Sequence, residues 1–362
     1  MEAISKFTKT HTSISKGFAI LLMVYHHLFV VPDRLGGANS YKILFISNSC
    51  QQQIAIFAKI CVGLFLFLSG LGLYSSLSSE TTLVSSFRKA FNKLFRFMTN
   101  YWIIAVIVFP LGLYIGFFDF DLLTVLGVVT GYYPKVMEWW FVCQYVVLLI
   151  ISPLFIRLIG KTVFKEKILC ASLIFLIYAL IFAGNHYMAK NPLIGLAITY
   201  LSYLCNWPCV SVFIVGILCA RFNIYRYFVF KEDKLTTIVN SLIFIVAVAL
   251  RASFVHTPES MQYDFIIAPL LAFSFSTLVY RTRRLQSILC FFSRHSTNIW
   301  LTHTFWCYYF GQAIVLLPHY SILIYIWLLI LSVASSYLIN LIYIPLSNKL
   351  FPRNNILQTG RQ

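Results

Sequence analysis

Lys16 and His27 are the residues of this chain whose types and spacing most readily do chemistry. They stand eleven residues apart at the start of and within an otherwise apolar stretch, Gly17 to Val31. On an α-helix that spacing is about three full turns and a rise of ~16 Å, so both side chains leave the same face. A cation at one end of that face can hold an anionic carrier, while an imidazole deeper in meets the carrier's reactive end as base or nucleophile. His26 is turned about 100° away from His27 and reads as a packed histidine. A second cation and imidazole, Arg294 and His303, share a later stretch, with ~13 Å between them on a helix. Ionisable groups inside apolar runs are costly, and both histidines are functional candidates for that reason.

Other groups supply the surroundings such chemistry needs. Arg88, Lys89, Lys93 and Arg96 place four cations between two apolar runs. Such a cluster marks the cytoplasmic side or touches anionic lipid, and it can equally hold the phosphates of a nucleotide-bearing cofactor. Glu138, Trp139, Trp140 and Phe141 begin another apolar run. An aromatic belt accounts for the tryptophans. Glu138 and Gln144 could hydrogen-bond a sugar, with Trp140 beside them. Ser69, Gly70 and Gly72 have the small-residue spacing of close helix packing, and no Gly-x-Ser-x-Gly elbow is present. The nine cysteines lie mostly in apolar runs and show no metal-ligand or disulfide spacing.

The elements that must position these residues are membrane spans. Of 362 residues, 60% are hydrophobic and only 11% charged, against about 25% charged in soluble chains. The net charge of +17 suggests nucleic acid, but the cations sit in short clusters between apolar runs, so a nucleic-acid partner is excluded and a lipid bilayer is implied. Ten segments approach the ~20 apolar residues a span needs: 17–33, 54–76, 98–117, 139–159, 168–184, 198–220, 236–254, 263–280, 297–316 and 321–347. The first reads as an uncleaved span, because no small-x-small cleavage site follows it. Residues 120–133 are too short to cross, and the sixth span reads as two pieces bent at Trp207–Pro208.

With the N-terminus inside, 22 Lys and Arg fall in inner loops and five outside, namely Arg34, Lys42, Lys135, Lys190 and Arg251. Positive charge is retained on the cytoplasmic side, so both termini are expected there. Glu138 and Asp264 fall outside, and no Asp or Glu is expected well inside a span. The expectation is an all-α, polytopic transmembrane bundle of about ten spans. It has a cytoplasmic N-terminal segment 1–16, a membrane domain 17–347 and a cytoplasmic tail 348–362.

In order along the chain, these residues resemble the motifs of the membrane acyltransferase-3 family. Lys16-x10-His27 is similar to its Arg/Lys-x10-His motif, and Phe67-Leu68-Ser69-Gly70 to its Phe-x-Ser-Gly motif. Lys93 and Arg96, before Tyr101-Trp102, resemble its paired basic residues. Trp140-Phe141 resembles the start of a later span, and Asn298 to His303 its late Tyr-Leu-x-His motif. Lys16 and Lys93 stand where Arg is commoner, which removes bidentate phosphate geometry.

The resemblance implies a stand-alone O-acyltransferase in a bacterial-type plasma membrane, without the extracellular hydrolase-like domain fused to some members. Acyl-coenzyme A, usually acetyl, would be the donor substrate, with no permanently bound cofactor and no metal. The acceptor would be a hydroxyl of a cell-envelope polysaccharide or lipid-linked sugar. Lys16, Arg88, Lys93, Arg96 and Arg294 could then hold the donor's phosphates, with His27 as base or acyl carrier and His303 polarising the carbonyl or orienting the acceptor. Glu138, Trp140 and Gln144 would face the sugar. The competing class is a transporter or flippase of a lipid-linked glycan, which should show repeat symmetry or acid–base pairs within spans.

Overall fold

A computed structural model describes residues 6–36, 40–118, 120–132, 136–187, 192–230, 232–254 and 260–352. Asp119, Lys135, Lys190, Lys231, Glu259, Arg353 and Arg361, which enter the sequence's charge balance, and residues 353–362 of the expected tail lie outside them. The chain is all-helical: apart from one bridge between Lys42 and Tyr320, no β pairing occurs among the described residues.

In chain order the helices are α1 (Lys9–Phe29), α2 (Asn48–Phe57), α3 (Ile60–Leu77), α4 (Leu83–Tyr114), α5 (Leu122–Thr130), α6 (Trp140–Ile159) and α7 (Phe164–Tyr187). Then follow α8 (Pro192–Ser202), α9 (Trp207–Arg221), α10 (Asp233–Ser253), α11 (Asp264–Tyr280), α12 (Arg283–Thr304), α13 (Gln312–Leu316) and α14 (Ser321–Leu350). Local sequence sets the starts. Thr8 and His11 form a capping box at the head of α1, Thr82 and Ser85 another at α4, and Ser47 caps α2, each satisfying backbone N–H groups that the first turn leaves free. α1 therefore begins at Lys9, ahead of its apolar stretch.

Among the described residues, seven stretches are long and apolar enough to cross a membrane, and an eighth is added if the pair α8–α9 counts as one span bent by 63°. That bend falls where it was expected: Pro208 sits in the first turn of α9, a position that needs no N–H. α5, within residues 120–133, has nine residues and is too short to cross. α1 and α12 are not among the apolar spans, because polar residues such as Lys16, His26 and His27 in α1 and Arg283, Arg284 and Arg294 in α12 lower their hydropathy. α6 is buried along most of its length, whereas α7 and α10 expose most of theirs.

Close approach of backbones organises the interior. A Cβ on Gly17 would lie 2.0 Å from the Leu289 carbonyl oxygen, and one on Gly70 2.0 Å from that of Phe213. Only glycine permits α1 to lie on α12, and α3 on α9, this tightly. Ser69, next to Gly70, donates its hydroxyl to Phe65 O one turn back, at 2.7 Å, as a packing residue does.

Arg251 and Asp264, both counted on the outer side, are 0% and 1% exposed and form an ion pair of 3.1 Å at the ends of α10 and α11. Asp264 presses on Gly63 of α3. Hydropathy placed the charges at helix ends correctly, but it could not show that these ends are roofed by α3.

Candidate functional site

α1 and α12 run side by side, so His27 and His303, 276 residues apart in sequence, arrive together at their last turns. His27 Nδ1 lies 2.8 Å from His303 Nε2. His303 Nδ1 is 2.8 Å from Ile299 O and 2.9 Å from Trp300 O. Carbonyl oxygens only accept, so Nδ1 of His303 carries its hydrogen and, in the neutral ring, Nε2 is an acceptor. The hydrogen between the rings then belongs to His27 Nδ1. This leaves His27 Nε2 as a bare lone pair, the state a general base or nucleophile requires. His303 is fully buried, while His27 keeps some surface.

Below the pair, α12 is pinned by amides. Asn100 Nδ2 of α4 donates to Asn298 Oδ1 at 2.6 Å, and Asn298 Nδ2 donates to Ser336 Oγ at 3.0 Å and Asn340 Oδ1 at 3.1 Å on α14. His295 Nδ1 also meets Ser336 Oγ, at 2.9 Å. A buried polar network of this kind, which leaves only Asn100 Oδ1 unpaired, holds a helix in one register. His26 Nδ1 meets Ala55 O of α2 at 2.7 Å, the bond of a packed histidine.

Around the pair stand residues that sequence reasoning treated as loop charge or did not single out. The π-helical turn Phe305–Tyr309 follows α12 directly, and such turns recur at functional sites. Tyr308 donates its hydroxyl to His27 O and lies under Arg34, whose guanidinium carbon is 3.7 Å from the ring centre. Tyr309 donates to Glu138 Oε2 at 2.6 Å, and Glu138 Oε1 pairs with Arg34 at 2.6 Å. Burial works against the Arg34 charge, but Glu138 outweighs it and raises the guanidinium's pKa. Arg34 is near enough for its charge to act on His27, and Glu138 near enough to act on His303. Trp139 donates from its indole to Leu301 O at 3.3 Å and meets Phe305 edge-on. No signal in the sequence marks the π turn, and without it the partners of Tyr308 and Tyr309 cannot be read.

The remaining expected site residues divide. Glu138 belongs to the histidine end, with its carboxylate engaged by Arg34 and Tyr309. Gln144 is fully buried and donates to Tyr203 O at 3.2 Å. Trp140 packs edge-on against Phe141. At the opposite end of the bundle, Lys16 of α1 and Lys93 of α4 lie within electrostatic range, as Lys93 does of Lys89 and Arg96. Lys89 is taken by Glu80 at 2.8 Å and Ser76 O at 2.6 Å. Arg96 donates to Phe351 O at 3.1 Å and covers that ring. Neither Lys16 nor Lys93 has a carboxylate partner among the described residues, so together they attract an anion. Arg88 is exposed on the other side of α4. Arg294, expected at the start of its span, is exposed eleven residues into α12. Among the described residues no three His, Cys, Asp or Glu side chains cluster as a metal site.

An all-helical, multi-pass membrane protein with a buried imidazole pair at one end and unpaired lysines at the other is the class these features define. A family model described as an acyltransferase domain matches residues 14–341, and the chain belongs to that acyltransferase-3 family. None of the curated proteins and none of the solved structures matches it. The protein is an acyltransferase of the membrane.

Proposed function

We infer that the chain moves an acyl group, acetyl by preference, from acyl-coenzyme A to a hydroxyl of a cell-envelope polysaccharide or lipid-linked sugar. The observation that carries this reading is the 2.8 Å bond between His27 Nδ1 and His303 Nε2, because it leaves His27 Nε2 free to accept a proton. In the reaction His27 Nε2 takes the proton of the sugar hydroxyl as its oxygen attacks the thioester carbonyl. The new C–O bond forms, the C–S bond breaks, and the proton passes from His27 to the departing thiolate. His303 holds the His27 ring and favours the imidazolium through the shared hydrogen. Lys16 and Lys93 receive the donor's phosphates about three turns away, and the neutral arm of coenzyme A spans the interval.

In this reading α1 and α12 complete about ten spans with the eight apolar ones, in a bacterial-type cell membrane. Both termini are cytoplasmic, by the excess of Lys and Arg in the loops on that side. The donor thus comes from the cytoplasm and the acceptor from the histidine end. Arg34, bound to Glu138 and lying over Tyr308, fixes the backbone that carries His27. The flippase alternative gains one observation, the buried Arg251–Asp264 pair. The family is one of acyltransferases, and the pair is assigned a structural role between α10 and α11.

The test is transfer of labelled acetyl from acetyl-coenzyme A to membrane glycan, with wild type and His27→Ala at equal expression. Loss of a general base predicts a fall of about 10²–10⁴-fold. Wild-type transfer by the variant would remove His27 from the chemistry. Absence of transfer by the wild type would remove the donor.

A further inference from the structure

A cavity of about 290 Å³ lies where the end of α1 meets the first turns of α2. Phe29, Tyr41 and Gln51 line it as buried walls, and Asn48, Ser49 and Gln52 are exposed at its rim. Gln51 is only 2% exposed, yet neither its Oε1 nor its Nε2 has a partner. A buried amide left unpaired costs about 1–3 kcal/mol, and native proteins nearly always complete such groups with water or a ligand. Among the described residues no charged side chain lines the cavity.

The chemistry of this lining is selective. A primary amide offers donors and an acceptor together, which matches hydroxyl groups that both give and take. Phe29 and Tyr41 add apolar ring surface suited to the C–H face of a sugar. A charged group entering here would find no counter-ion and would be penalised. The volume sits at the small end of ligand sites, roughly 300–1,000 Å³, as one sugar ring requires.

The cavity borders the same turn of α1 on its other face. Phe29 follows His27 by two residues, about 200° around the helix, and Gln51 precedes Ala55, whose carbonyl meets His26, by one helical turn. Gln52 Nε2 reaches Val30 O at 3.4 Å. We propose that this cavity is an acceptor subsite for an uncharged, hydroxyl-bearing sugar ring next to the one that is acylated, with Gln51 as the residue that selects it. The assignment rests on the sugar-acyltransfer reading above.

The experiment uses the full chain in detergent with p-nitrophenyl β-glucoside, β-galactoside and β-glucuronide as probes. Binding is measured by calorimetry, and labelled acetyl transfer is measured in parallel. Neutral glycosides should bind wild type and compete as acceptors, with the glucuronide at least about tenfold weaker. Gln51→Leu should raise the acceptor KM about tenfold or more with the KM for acetyl-coenzyme A unchanged, which a misfolded variant would not preserve. Gln51→Asn should recover part of the affinity. Wild-type acceptor KM and binding in Gln51→Leu would overturn the subsite, as would equal binding of the glucuronide or no binding of any neutral glycoside. If wild type binds glycosides through Gln51 but transfers no acetyl group, the proposed reaction fails and the subsite stands.

Discussion

α1 meets α12 at Gly17, and α3 meets α9 at Gly70, each so closely that a Cβ would fall 2.0 Å from a backbone oxygen. The packing device is the same, but the contents differ. α3 and α9 bury Leu64, Phe67, Val210 and Phe213 against each other and their neighbours. α1 and α12 bury Ser15, His295, Asn298, Thr302 and His303, and neither is apolar enough to count as a span on composition. The first pair is therefore scaffold in an apolar medium. The second pair carries polar groups that mostly bond to other helices, Ser15 to Ala272 of α11 and His295 and Asn298 to α14. Among the described residues only His27 and His303 bond across it. The proposed chemistry lies at the turns where both helices end, at His27 and His303.

The sharpest way to break this comparison is to force each pair apart by the same increment. Gly17→Ala and Gly70→Ala should each destabilise the protein by about 1–3 kcal/mol through overpacking, read as a lower melting temperature in detergent. Activity per folded molecule should separate them. Gly17→Ala should lose about 100-fold, since a displacement near 1 Å between reacting groups has that effect, whereas Gly70→Ala should keep most of its turnover. Equal losses would show that the two pairs are mechanically one unit.

An effect of similar or smaller size is expected from His303→Gln. It keeps a hydrogen-bonding side chain but removes the ring whose Nδ1 is anchored to two carbonyls. Loss of the oriented bond to His27 should cost about 1–3 kcal/mol, or ~5- to 150-fold in turnover, with the donor KM unchanged. Turnover at the wild-type rate would mean that His27 needs no partner.

The smallest effects should come from the basic helix α4, where the structure separates residues that the sequence grouped. Lys93→Ala should raise the KM for acetyl-coenzyme A by several-fold, as loss of one charge-assisted contact does. Arg88→Ala, on the exposed face, should stay within about twofold, as exposed substitutions usually do. Steady-state kinetics at fixed ionic strength distinguishes them, and a larger effect at Arg88 would move the donor site to the other side of α4.

Much of this was legible in the residues alone, because helical periodicity, apolar length and capping are local properties of the chain. The shared phase of Lys16 and His27, the bend at Pro208, the shortness of 120–133 and the packing role of Gly70 all follow from neighbours a few positions apart. The ordered motifs carried the family as well. Only the tertiary structure decided that His27 meets His303, which nitrogen of each ring holds the hydrogen, and that Arg34 is bound by Glu138 beside the π turn. It also decided that Arg251 and Asp264 are interior, that Gln144 is engaged by Tyr203, and that Gln51 lines a polar cavity unpaired. Those facts depend on which helix faces meet across hundreds of residues, and a spacing rule of 3.6 residues per turn fixes a face without naming its partner.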